Sequence, residues 1–457
     1  MDPHNFPESH VLHAKLAALR ITAEKVAPSP HNFWSQELGA TFLDLAISAG
    51  ETAEFDIADE LVAKAEEYGL PPDAHVRLHL VKGNNLTQEA GMETHAPTRG
   101  QLLRMALSHY DKATSTRLAP EAHHGIGNIY QLKCFDVATK VEAYALAGKA
   151  FHHAKLAING GASSWGANRV AASALMQLIY SAPTGRDCIK HISELEKFCT
   201  TSSFEHELGH ESKLFFAYCD ETRSGFVEPL AEKVLLLENS LRLINSMSGD
   251  DSLVQERIRS VVTSTTRMYD AIWMAKGSPP APGQQTQALD DYLDVSHHPD
   301  NIDLEGSWVL LRKSRVTQDE NKRVSLIEEA IDGLQRQVDF GYYPTLARAT
   351  LGLAMATLAY SKGEPFANRS LYMSAEAEIE LAIETDPSDC YLLCYRAALH
   401  ALQGDSDLAA SAIVTYSQSS YAPTDSGLDP WYYRNIWHAT KFKEALRVLK
   451  ENYKTYN

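Results

Sequence analysis

No stretch of this sequence stays apolar for the ~20 residues that a membrane-spanning helix needs. The polar residues Met1 to His10 give no positive start followed by an apolar segment, so neither membrane insertion nor a signal peptide is expected. Strand-like alternation bounded by turn residues is almost missing, which removes the all-β classes. Basic charge is short: 42 Lys and Arg stand against 59 Asp and Glu, for a net charge of −17. A nucleic-acid binder needs a basic footprint, so phosphate-backbone recognition is not expected as the main activity. There is no Walker-type phosphate loop and no G-x-S-x-G elbow. Cysteine is sparse. Cys134, Cys188, Cys199, Cys219, Cys390 and Cys394 include no Cys-x-x-Cys pair, which argues against a zinc ribbon or a disulfide framework. A reducing, cytoplasmic setting follows as the expectation.

What the chain does have is helix after helix. Its 457 residues are 44% apolar, enough to bury a core. Amphipathic stretches alternate with short breaks at Pro28 to Pro30, Gly69 to Pro72, Gly160-Gly161, Pro183 to Gly185, Ser248 to Asp251 and Pro387-Ser388. This spacing predicts roughly 16 to 20 helices and an all-α fold. The Pro/Gln-rich run Gly277 to Gln287 and the loop around His297 to Asp300 read as a linker over 277–302. It would separate an N-terminal helical array, 1–276, from a C-terminal one, 303–457.

Small residues recur at fixed places on the helices. First helices carry Leu38-Gly39 with Phe42, Ile126-Gly127 with Tyr130, and Leu351-Gly352 with Met355. Second helices carry Ala58, Val62 and Ala65; Ala106, Tyr110 and Ala113; Ala147, Phe151 and Ala154; and Ala375, Ile379 and Ala382. Ala397, Gly404, Ala409 and Ile413 continue the pattern, and Phe442 and Ala445 end it. Gly or Ala lets two helix backbones approach while the larger residue fills the neighbouring groove. The pattern resembles the tetratricopeptide repeats, a superfamily of antiparallel helix pairs. The pairs are clearest at 34–71 and 100–180. The step from the first-helix small residue to the second-helix Ala is twelve residues between Ala397 and Ala409, but nineteen to twenty-three in the three glycine pairs. Those pairs have longer helices or loops than the family norm.

The resemblance implies a solenoid of stacked helix pairs, a superhelix whose concave groove binds a protein or peptide. The chain would then be a scaffold, an adaptor or a regulatory subunit, with no cofactor. Its acidic charge favours a basic ligand. A subset of the family clamps carboxylate termini with Lys, Arg and Asn on successive first helices. His124 and Asn128 fall near two of those positions, and Asn168 and Arg169 near others, although the leading Lys is missing. These four are the groove candidates.

One motif points to different chemistry. His206-Glu207-Leu208-Gly209-His210 fits H-E-x-x-H, in which two histidines one helical turn apart share a zinc ion and the glutamate acts as general base. It resembles the zinc metalloprotease signature. His206 and His210 would be ligands, Glu228 or Glu232 a third, and Glu207 the base. The other reading is a polar helix start. Glu205, Glu211 and Lys213 flank the motif, and Ser202 with Glu205 would form a capping box. His75 and His79 share the i, i+4 spacing without an acid beside them. Cys390 and Cys394, also one turn apart, read as core thiols.

Overall fold

Asn32 opens a helix because its side chain accepts a hydrogen bond from the Trp34 backbone N–H at 2.9 Å. Asp405 does the same for Leu408 at 2.9 Å, and Thr184 for Asp187 at 3.0 Å. Helices also end on small residues in the left-handed region, with Gly69 at φ +81°, Gly161 at +83° and Gly404 at +81°. Repeated along the chain, these local rules produce helices throughout. The computed structural model describes residues 7–162, 164–200, 209, 211–247, 254–276, 283–296, 304–340, 343–363, 368–419 and 428–454.

Among them are twenty α-helices and no strand. They are α1 (Pro7–Ala23), α2 (Phe33–Glu51), α3 (Phe55–Tyr68), α4 (Pro72–Met92), α5 (Ala96–Ala113), α6 (Ala119–Asp136) and α7 (Lys140–Gly160). Next come α8 (Ser164–Ser181), α9 (Gly185–Cys199), α10 (Glu211–Ser224), α11 (Leu230–Asn245), α12 (Val254–Lys276) and α13 (Gly283–Ser296). The chain finishes with α14 (Leu304–Val316), α15 (Glu320–Phe340), α16 (Pro344–Ser361), α17 (Arg369–Thr385), α18 (Leu392–Leu402), α19 (Ser406–Ser417), a 3-10 turn (Pro430–Tyr433) and α20 (Thr440–Lys454). Five of the expected breaks fall between helices; the sixth, Ser248 to Asp251, lies outside the described residues. No described helix is long and apolar enough to cross a membrane.

The chain forms two compact units. One comprises 1–133 and 148–171, the other 134–147 and 172–457. In the first unit α2 packs on α3 and on α4, and α4 on α5. Leu38, Phe42, Leu43, Leu61, Val62 and Leu78 form its first core cluster, and Leu103, Tyr110, Ile126 and Ile129 a second. The glycines sit on the seams. A Cβ on Gly39 would lie 1.9 Å from the Gly69 carbonyl oxygen and 3.0 Å from that of Ala65. A Cβ on Gly127 would lie 3.2 Å from the Ala150 oxygen.

Tyr110 is wedged between two further glycines: a Cβ would meet its ring at 2.8 Å from Gly83 and at 2.3 Å from Gly125. Its hydroxyl donates to Asn84 Oδ1 at 2.7 Å. Tyr110→Phe keeps the wedge and loses that bond. The expected cost is about 1 kcal/mol, read as a lower urea midpoint at unchanged slope.

In the second unit neighbours in sequence also pack on one another, from α10 on α11 through to α19 on α20, and α17 packs on α16 as it does on α18. A Cβ on Gly352 would meet the Ala375 oxygen at 2.6 Å and Ile379 Cγ1 at 2.7 Å.

The segment read as a linker differs from expectation. Gly283–Ser296 is a helix, and its Ala288, Leu289, Tyr292 and Leu293 join one core cluster with Val262, Val309, Leu310, Ile327 and Leu351. An apolar stripe at i, i+1, i+4 and i+5 is enough to bury one face once the prolines are behind it. One core cluster therefore joins α12, α13, α14, α15 and α16.

Candidate functional site

The groove candidates lie on α6 and on the start of α8, in the first unit. His124 and Asn128 are one turn apart on α6. The His124 ring lies against Gly166, where an added Cβ would come within 2.8 Å of its Cε1. Burial pushes the His124 imidazole below its usual pKa, opposed by Glu121. Asn168 is turned inward, at 4% exposure. Ala167, Asn168 and Ala171 all bury, and that spacing leaves Trp165 and Arg169 on the outer face. The Arg169 guanidinium stacks over the Trp165 ring at 5.4 Å, and Trp165 remains 47% exposed. Of the four candidates Arg169 alone is exposed, His124 and Asn128 being half-buried. Asn168 belongs to the interior, and the exposed aromatic beside Arg169 is the better anchor.

His206, Glu207 and His210 lie outside the described residues. Gly209 is described, and its backbone has φ +45°, in the left-handed region. Helix α10 starts at Glu211. Glu228 precedes α11 as an exposed loop residue, and Glu232 sits in the first turn of α11. Among the described residues no group of three or more His, Cys, Asp or Glu is placed to hold a metal ion. All six cysteines are buried and outside any disulfide. Burial pushes Cys134 and Cys199 up to about 12 and Cys390 up to about 11, so they are poor sources of thiolate for catalysis or metal binding.

No protein-family model matches the chain, and no curated protein matches it. What it does rests on its own geometry.

Three buried polar clusters stand out in the second unit. The first surrounds Lys140. Its ammonium pairs with Asp389 at 3.0 Å and lies 5.1 Å over the Tyr180 ring and 4.7 Å over the Tyr391 ring. The backbone beside it is pinned as well. The Lys140 N–H donates to Asp386 at 2.7 Å, Thr345 Oγ1 donates to the Ala138 carbonyl at 2.7 Å, and the Tyr343 N–H donates to the Phe135 carbonyl at 2.8 Å. The cleft among these groups holds about 30 Å³, room for a water or two. Its lysine is fully engaged, so the cluster is an anchor.

Glu221 centres the second cluster. Its Oε1 accepts from Ser264 at 2.9 Å, Ser240 at 3.2 Å and Ser260 at 2.5 Å. Burial raises its pKa, while Arg267 and the serines oppose the rise. The third is an arginine–aspartate quartet. Arg312 is bidentate to Asp270, at 3.1 and 2.5 Å, and reaches Asp429 at 3.2 Å. Arg315 pairs with Asp429 and the Tyr432 hydroxyl. Trp308 stacks on Arg312 at 4.7 Å, and Trp431 stacks on Arg434 at 3.7 Å. Such clusters fix which helix faces meet. None presents an open catalytic pair.

Sequence reasoning missed two histidine dyads, His79–His109 and His123–His153, whose facing Nδ1 atoms are 3.2 and 3.1 Å apart. The signal was present. From 79 to 123 and from 109 to 153 the step is the same 44 residues, and it also separates Gly39, Gly83 and Gly127.

Proposed function

We propose that the chain is a protein- or peptide-binding helical repeat scaffold, an adaptor or regulatory subunit of tetratricopeptide-like architecture. Its helix pairs would stack into a superhelix whose concave groove holds the ligand. The observation that carries this reading is the glycine seams. Gly39, Gly127 and Gly352, picked by the repeat pattern, each lie against the backbone of the small-residue helix that the pattern pairs with them. Exposed apolar side chains supply anchors, among them Trp34 on α2 at 68%, Trp165 on α8 at 47% and Met373 on α17 at 61% exposure. Aromatic and arginine side chains are the usual anchors of binding surfaces. The net charge of −17 favours a basic ligand.

The test is a pull-down with the full chain as bait, comparing wild type with Trp165→Ala and Arg169→Ala. A partner held at near-equal stoichiometry by wild type, and depleted on both variants, supports the reading. A partner held equally by all three baits removes the α8 face from it. The alternative is a zinc-dependent hydrolase using His206, Glu207 and His210, which lie outside the described residues. Hydrolysis lost in Glu207→Gln, with zinc in the purified wild type, would favour it over the scaffold reading.

A further inference from the structure

We propose that the dyads His79–His109 and His123–His153 are two metal sites, each taking one divalent zinc- or copper-type ion through its two facing Nδ1 atoms. Each dyad bridges two successive helices of the first unit, α4 to α5 and α6 to α7. Ring centroids are 5.4 Å apart in the first dyad and 5.2 Å in the second. Two nitrogens bound to a tetrahedral zinc at ~2.0–2.1 Å stand roughly 3.3 Å apart, close to both Nδ1 separations. The recurrence carries the argument. One converging pair is an ordinary packing contact, but the same pair of atoms returns at the same distance 44 residues on, in the next helix pair.

An imidazole binds a metal only in its neutral form, through a nitrogen that carries no proton. Without metal, one ring must donate from Nδ1 and the other accept. Metal binding forms two nitrogen–metal bonds, and the donor ring's proton moves from Nδ1 to Nε2, so no proton is released. The remaining coordination positions go to water, giving an exchangeable ion.

The experiment is calorimetric titration of tag-free, chelator-treated full chain with Zn²⁺, at neutral pH. Wild type is expected to take up two equivalents, His109→Gln or His153→Gln one, and the double variant none. The melting temperature should rise with Zn²⁺ in wild type and not in the double variant. His79→Gln with His123→Gln, which removes the opposite member of each dyad, must reproduce the loss. This guards against a fold effect of one variant pair. No uptake by wild type, or equal uptake by wild type and double variant, overturns the proposal. Equal uptake would place the metal elsewhere, His206 and His210 included.

Discussion

Gly39→Ala is expected to destabilise the first unit by about 3 kcal/mol or more, a fall of on the order of 10 °C in its melting midpoint. Ala is normally the better helix former by roughly 1 kcal/mol, so an exposed site would show the opposite sign. Here the new methyl would sit 1.9 Å from the Gly69 carbonyl oxygen. That oxygen cannot withdraw cheaply. Gly69 is at φ +81°, and its own Cα already faces Pro30, whose Cα lies 2.7 Å from where a Gly69 Cβ would be. Relief must come from moving α3 as a body, which opens the seam where Ala58, Val62 and Ala65 are buried. Gly148→Ala in α7 is the control, because a Cβ there meets nothing within 4 Å. It should stabilise by about 0.5–1 kcal/mol. Thermal or urea unfolding of both variants checks the pair. Similar signs would mean that helix propensity, not the seam, decides the outcome.

These seams were legible because backbone contact between helices admits few residue types. A Gly or Ala at the right spacing is itself the evidence. Helix α13 was hidden because the prolines ahead of it dominate composition, while its packing depends on four side chains, Ala288, Leu289, Tyr292 and Leu293. Asn168 was misplaced for a related reason. A polar residue beside Arg169 looks solvent-facing until Ala167 and Ala171 fix which side of α8 is inside. The histidine dyads needed a 44-residue frame that the shorter repeat of the family obscures. The quartet was beyond reach altogether: Arg312 and Asp270 are 42 residues apart, and no local pattern announces that pairing.

Arg312→Met is expected to cost the second unit about 3–5 kcal/mol, because it strands buried carboxylates whose charge the arginine balances. The loss should depend on pH. Burial pushes Asp270 up to about 6, with the Asp429 charge adding and Arg312 opposing. Burial also acts upward on Asp429, but Arg312 and Arg315 outweigh it and hold that carboxyl below its usual range. An unfolded aspartate titrates near ~3.9, so between there and about 6 the folded chain binds the Asp270 proton more tightly than the unfolded chain does. Asp270 therefore withdraws stability as pH rises through that window. Asp429 works the other way: its contribution is present above ~3.9 and is lost as pH falls through its lower folded value. Removing Arg312 leaves Asp270 charged and unpaired at pH 8 but able to take a proton at pH 5. Urea midpoints should separate wild type from Arg312→Met more widely at pH 8 than at pH 5. The double variant Arg312→Met with Asp270→Leu removes both charges and leaves Asp429 on Arg315. It should recover about 1–3 kcal/mol of the single variant's loss. If the double variant is instead as unstable as the two single losses added, the arginine acts through its stacking on Trp308 and not through the aspartates.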